Sequence, residues 1–331
     1  MRILRVAGVI VRRCGVAATL ACLMLAACGR PDVGVGTPAG DASVDPVASV
    51  QAWRDKHEAD YLYEWASIAG LHMLEPGTQT VGSDPAAAIV VPHLPPVAGR
   101  VTVLGQRVEF EAEPAVSAVR KGARTRPQPD QPPDEPLTGP IVLHDADLER
   151  DPEVAIGSVR LVVHTGGGIL ALRVRDPQSG QARGFLGFSW FPIDETYRVT
   201  GRFIRDAEPR ELQVLNTYGD IDTYTTEGLV EFELGGQTLR LRPFTTRPNR
   251  FYFVFRDASS GEETYETARF VYSDLGEDGT TVIDFNEAYN PPCAFNPYTT
   301  CPIPLKENIL PVRVLAGERA YPVAVKLPGV R

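Results

Sequence analysis

From Leu71 onward the sequence is built of short alternating runs, each closed by a glycine- or proline-rich turn. A two-residue period sends apolar side chains to one face and polar ones to the other, which is the pattern of a half-buried strand. Arg100–Leu104 and Arg107–Phe110 flank Gly105-Gln106, the spacing of a two-residue hairpin. Ser158–Val163 and Leu170–Arg175 alternate on either side of Thr165–Gly168, and a second series follows in Tyr197–Phe203, Glu211–Asn216, Leu229–Leu234 and Thr238–Arg242. Arg250–Phe255 is nearly all aromatic or apolar and predicts a central strand. Phe270–Tyr272, Thr281–Asp284 and a last strand at Pro311–Leu315 complete the series, while Ser117–Pro140 reads as an exposed excursion. The expected fold class is mainly β. About 280 residues is long for one sandwich, so two β units are expected, divided near Gly180.

One strong helical pattern precedes the strands. Val47, Val50, Trp53, His57, Tyr61 and Trp65 recur at steps of three and four, with Asp45 placed to cap and Pro46 in the first turn. His57 and His72 lack acidic or histidine neighbours at metal spacing and are expected to be core or boundary residues.

The first residues carry an address. Arg2, Arg5, Arg12 and Arg13 precede an apolar run from Gly15 to Ala27, which ends in Leu25-Ala26-Ala27-Cys28. This is the layout of a lipoprotein signal, with Cys28 as the lipidated residue after cleavage. The expected organisation is therefore a signal peptide at 1–27, a linker at 28–45, a helix with a first β unit at 46–180, and a second β unit at 181–331. Position 29 is Gly rather than an acid, which points to the outer membrane, facing the periplasm. The lipid would be the membrane contact. Loss of residues 1–27 removes four Arg and no acid, taking Lys+Arg from 33 to 29 against 42 Asp+Glu, a formal charge of −13. Such a surface is unsuited to nucleic acid.

The stretch from Asp284 to Asn308 is the densest in residues that fix backbone shape: five prolines, two cysteines and four aromatics, with acids and carboxamides between them. Cys293 and Cys301 are the only cysteines left after Cys28, and an even pair in an oxidising compartment predicts a disulfide, with a metal site or redox dithiol as the rival. Closing so short a loop is worth roughly 2.5 kcal/mol of chain entropy. Asp284 is the candidate acid or base, with Tyr265 or Arg269 holding a polar substrate. Asn286, Asn290, Asn308 and Glu318 are candidate binding residues, to which Glu287 adds a further oxygen. No cofactor or dedicated metal site is expected; Asp284 and Asn286 are the oxygen donors that would suit Ca²⁺ or Mg²⁺ if either binds. The rival reading is that these residues only shape turns, as Asn, Asp and Pro do.

His164–Gly168 is similar to the oxyanion loop of esterases, but no Gly-x-Ser-x-Gly elbow accompanies it, so a glycine hairpin is expected.

Trp65–His72, Pro76–Pro85, Arg175–Pro177, Phe191–Asp194, Phe255–Asp257, Thr264-Tyr265, Ala268–Phe270, Asp284–Phe295, Cys301-Pro302, Asn308 and Ala316–Glu318 together resemble the DUF1684 family, from about Trp53 to Tyr321. The resemblance implies no activity, because that family is uncharacterised. Within it, Gly77–Val91 and the short strands that follow look like the start of a forkhead-associated (FHA) β-sandwich, and the second unit is expected to be another antiparallel sandwich or barrel-like domain. The phosphate-reading residues of such domains are absent, since Ser83 follows Gly82 and Pro96–Gly99 occupies the loop. The expected function is binding of a small polar ligand or an envelope protein partner; the alternative is a hydrolase acting at the Asp284–Asn290 loop. Whether the chain is an enzyme is left open.

Overall fold

A computed structural model describes residues 45–123, 125–166 and 169–324. The expected signal peptide, Cys28 and most of the linker lie outside the described residues. The described residues open with helix α1 (Pro46–Tyr61), capped as expected by Asp45, whose Oδ1 accepts the Val47 N–H at 3.0 Å. Eighteen strands follow: β1 (Ile68–Met73), β2 (Gly77–Gly82), β3 (Ile89–Val90), β4 (Gly99–Leu104), β5 (Arg107–Ala112), β6 (Val119–Arg120), β7 (Glu135–Pro136), β8 (Ile141–His144), β9 (Val154–Ile156), β10 (Val159–Gly166) and β11 (Ile169–Arg175). A short helix α2 (Gly180–Arg183) leads to β12 (Arg198–Leu215), β13 (Ile221–Leu234), β14 (Gln237–Leu241), β15 (Phe244–Arg247), β16 (Arg250–Phe255), β17 (Arg269–Asp274) and β18 (Thr280–Asp284). The protein is mainly β, as the alternation predicts. The described residues from Asp45 onward form one compact unit.

The first eleven strands make a six-stranded sheet (β1-β11-β10-β9-β6-β7) and a five-stranded sheet (β3-β2-β4-β5-β8). Both contribute to one core, in which Val101, Phe110 and Leu143 meet Leu161, Leu172 and Val174. Pairing is antiparallel except between β2 and β3. Gly105-Gln106 turns the chain between the paired Leu104 and Arg107, and Gly105 has φ 66°, which the absence of a Cβ permits.

The later strands make a four-stranded sheet (β14-β13-β12-β18) and a three-stranded sheet (β15-β16-β17) with Arg250–Phe255 in its centre, as expected. The runs Tyr197–Phe203 and Glu211–Asn216 prove to be parts of one long strand, β12. Its register with β13 shifts between Arg205 and Arg210, where Pro209 has no N–H to give the ladder. One expected strand is corrected. Pro311–Leu315 forms no strand: one main-chain bond reaches it, from Ala258 N–H to Val312 C=O at 2.9 Å, and side chains take up Val314, whose N–H donates to Asp257 Oδ1 at 3.2 Å and whose C=O accepts from Arg269 Nη1 at 2.9 Å. Val314 still fills the core beside Phe253 and Phe285.

Helix α1 packs against a third, aromatic cluster containing Tyr61, Tyr252, Phe270, Tyr289 and Phe295. His57 lies in it, stacked on Trp53 at 4.7 Å and beside Tyr289 at 4.5 Å, and burial pushes its imidazole down to about 3. It is therefore a neutral core histidine, as the sequence suggested. Beyond Tyr61 the helix widens into one π-turn, Leu62–Ala66. A π-turn displaces carbonyls from their usual partners, and here long side chains answer them: Arg160 bonds Tyr63 C=O, Arg175 bonds Glu64 C=O at 2.8 Å, and Asn296 bonds Trp65 C=O at 3.1 Å. Buried Glu153 pairs with both arginines, at 3.0 Å to Arg160 and 2.6 Å to Arg175.

Candidate functional site

The Asp284–Asn308 stretch is where distant parts of the chain meet. Arg54 of α1 donates to Asn286 C=O at 3.0 Å, Tyr61 Oη donates to Asn290 C=O at 2.8 Å, and Asn296 donates to Ile68 C=O at 2.8 Å. Most of the residues singled out from the sequence serve this junction. Asn308 is buried and fully used: its amide donates to Arg242 C=O at 2.8 Å and Val254 C=O at 2.9 Å, and its Oδ1 accepts the Arg242 N–H at 2.8 Å. Asn286 binds both backbone groups of Asp194, at 3.0 and 2.9 Å. Arg269 is buried against Asp257 at 2.9 Å and clamps the Val314 and Ala316 carbonyls. Asn290 donates its side-chain N–H to Arg319 C=O at 2.7 Å and its backbone N–H to Glu318 at 2.7 Å. Tyr265 Oη lies 3.4 Å from Cys293 C=O, and burial raises its pKa far above the ordinary phenol value.

Cys293 and Cys301 are buried neighbours and stand as free thiols, with the Cys293 N–H pointing at Cys301 Sγ at 3.4 Å. Burial pushes the Cys293 thiol well above its ordinary pKa.

Of the candidate site residues named from the sequence, Asp284 and Glu287 line a described cleft. That cleft has a volume of about 420 Å³ and brings together Trp53, Arg198, Arg250, Tyr272, Asp284 and Glu287. Each arrives by a different route. Trp53 comes from α1, Arg198 opens β12, Arg250 opens β16, Tyr272 sits on β17, and Asp284 ends β18. Arg198 and Asp284 are direct partners across the β12–β18 ladder, and their side chains pair at 3.1 Å. Asp284 Oδ1 also accepts the backbone and side-chain N–H groups of Asn286, at 3.0 and 2.9 Å. Arg250 pairs with Asp274 at 2.6 Å and lies over the Tyr272 ring at 5.1 Å. Each guanidinium has five N–H donors and so keeps some free for a ligand.

Glu287 is the distinctive group. Its carboxyl is partly buried, and burial together with the neighbouring Asp284 charge raises its pKa to about 7. It therefore exchanges a proton at neutral pH, in a cleft with two cations and two aromatic faces. Among the described residues no three His, Cys, Asp or Glu are grouped to hold a metal ion.

Residues 183–319 match the model of a family described as protein of unknown function, DUF1684. This part of the chain belongs to the DUF1684 family. The matched region is shorter than the resemblance from Trp53 to Tyr321 expected from the sequence. The DUF1684 region supplies every residue of the cleft named above except Trp53. The chain is also similar to the solution NMR structure of an uncharacterized protein from Haloarcula marismortui, at 30% identity over 44% of this chain and 82% of that one, with a TM-score of 0.37. No curated protein matches the chain. DUF1684 thus gives a family and no reaction, so the chemistry rests on the cleft.

Proposed function

We propose that the protein is a lipid-anchored envelope protein that binds a small polyhydroxylated ligand, such as a sugar of envelope polysaccharide, in the cleft over Asp284 and Glu287. The observation that carries this reading is the meeting of Arg198, Arg250 and Glu287 with the aromatic faces of Trp53 and Tyr272 in one cleft of about 420 Å³. Aromatic faces cover the apolar side of a sugar ring, while planar charged groups bond adjacent hydroxyls in pairs. With Glu287 protonated, two arginines balance Asp284 and Asp274, which suits a neutral ligand. The test is calorimetric titration with a panel of neutral, acidic and amino sugars, with a calcium arm. Arg250→Ala should weaken the best ligand at least about tenfold, the loss of one or two charge-assisted hydrogen bonds, and Glu287→Ala should weaken it several-fold, the loss of a neutral one. Absence of binding across the panel sinks the reading.

A second reading is hydrolysis of such a ligand, and the Glu287 value of about 7 favours it, because a carboxyl poised beside a charged one is suited to general acid work. Release of reducing ends by the wild type, abolished in Glu287→Gln, would convert binding into catalysis.

The envelope part of the proposal rests on Arg2–Cys28. No described helix is long and apolar enough to cross a membrane. On the reading of Arg2–Cys28 as a lipoprotein signal, the lipid on Cys28 would be the anchor. Cys28→Ala should abolish labelling by a fatty-acid analogue and shift the protein from the membrane to the soluble fraction; retention of both label and membrane association would refute it. Protein recovered from an oxidising envelope should carry the Cys293–Cys301 disulfide, leaving no thiol to alkylate after denaturation.

A further inference from the structure

A second cleft lies in the N-terminal half, about 370 Å³ in volume, with His93 and Asp176 on its wall. His93 Nδ1 is bonded to Asp176 Oδ2. The Asp176 side chain is 2% exposed and that of His93 is 40% exposed. Asp176 is also held rigidly: its backbone N–H donates to Ser67 C=O at 2.6 Å, and its Oδ1 accepts the Gln178 N–H at 2.9 Å. A carboxylate on Nδ1 fixes the imidazole tautomer and leaves the Nε2 lone pair outward. No described hydrogen bond occupies that Nε2.

The chain contains an internal comparison. His144 pairs through Nδ1 with Asp151 at 2.9 Å, the same arrangement, yet no described cleft is lined by His144. That pair closes the loop after β8. The His93 pair joins residues 83 positions apart and faces a cavity. The cavity has an apolar wall of Val91, Pro92 and Val174, and a rim bearing Ser179 and Tyr298. Ser179 Oγ accepts the Ala182 N–H at 3.1 Å, which leaves its O–H to donate. No Lys or Arg lines the cavity, and the one carboxylate is engaged by His93. An uncharged, largely apolar molecule with one polarisable carbonyl fits these walls.

We propose that His93, positioned by Asp176, is a general base that activates water against a small uncharged carboxylic ester in this cleft. A water O–H proton passes to His93 Nε2 as the water oxygen bonds the carbonyl carbon. The rim hydroxyls donate to the carbonyl oxygen as it gains charge. Collapse of the tetrahedral adduct breaks the C–O bond to the alcohol, and the departing oxygen takes the proton back from Nε2, so acid and alcohol leave with His93 neutral.

The probe is p-nitrophenyl butyrate with the whole chain. Wild type should hydrolyse it above the buffer rate, and His93→Gln should lose about a hundredfold of that excess, within the usual share of a general base. Asp176→Asn retains the Gln178 contact and should lower kcat about tenfold while leaving KM within about twofold, a split that a merely structural role would not produce. His144→Gln should match wild type. Equal rates for wild type and His93→Gln overturn the proposal, as does a wild-type rate no greater than that of free imidazole at equal concentration. The His93 side chain is partly exposed, so His93→Gln is compatible with the fold, and an unchanged melting curve verifies this.

Discussion

Arg269→Ala is expected to lower stability by about 3–5 kcal/mol, the usual cost of removing one partner from a buried ion pair. Arg269 and Asp257 both have side chains with no solvent exposure. Arg269 Nη1 holds Asp257 and Val314 C=O, each at 2.9 Å, and its other terminal nitrogen holds Ala316 C=O. Its removal strands two buried carbonyls and an Asp257 charge that keeps only the N–H groups of Ser259 and Val314 and the Ser259 hydroxyl. Main-chain bonds hold Val312 C=O and Gly317 C=O on either side, and between them these side-chain contacts hold Val314 and Ala316. A fall in melting temperature on the order of 10 °C should follow for a unit of this size. The double variant Arg269→Met with Asp257→Leu should recover part of the loss, since no charge is then buried, but not all, since the two carbonyls stay orphaned and the Ser259 and Val314 N–H groups lose their acceptor. A single-variant loss below about 1 kcal/mol would show that the segment is held by its apolar contacts alone.

Arg269 stood out as a possible substrate anchor because arginine is common in sites, and nothing local distinguishes an arginine that clamps carbonyls from one that faces a ligand. The same holds for Asn286 and Asn308. Their amides complete the backbone hydrogen bonding of segments far away in sequence, Asp194 in one case and Arg242 with Val254 in the other. A carboxamide carries one donor group and one acceptor group, as a peptide does, which is why it substitutes for backbone where no strand is available.

What local periodicity controls was legible. Helix α1, its Asp45 cap, the Gly105 hairpin and the central position of Arg250–Phe255 all follow from spacing and turn chemistry. Pro311–Leu315 misled because its apolar positions alternate and pack as a strand's would, while its backbone pairs with side chains. The clefts were the least legible. Glu287 was visible only as one more oxygen near Asp284; its proton affinity comes from burial and from the Asp284 charge. His93 carries no sequence motif, since its partner Asp176 lies 83 residues away and reads locally as a turn residue. Histidine beside Pro92 was the only trace, and it has no spacing that would mark a site.

Stability should fall as pH rises from about 4.5 to about 8, and Glu318→Gln should remove most of that slope. Glu318 is buried, and desolvation raises its carboxyl to about 8 against an ordinary 4.5. The Asn290 N–H groups and the Arg269 charge pull it down, and Glu58 adds to the rise, but desolvation dominates. A group whose folded pKa is raised binds its proton more tightly in the native state. Its contribution is therefore complete below about pH 4.5 and is lost as pH climbs through about 8. The span corresponds to on the order of 5 kcal/mol. Glu287 adds a smaller slope of the same sign, ending near 7. Asn290 Oδ1 is buried without a donor, and a neutral Glu318 brings an O–H to the side chain that lacks one. Glutamine offers an N–H in its place and still accepts the Asn290 backbone N–H, so Glu318→Gln should match wild type below about pH 4.5 and exceed it by a margin that grows with pH, already large near neutral pH and full above about pH 8. Urea unfolding of both proteins between about pH 5 and pH 9 reads the difference directly. Were Glu318 instead an ionised partner of Arg269, the variant would be weaker at neutral pH and the wild-type profile would rise with pH; parallel profiles would place the proton elsewhere.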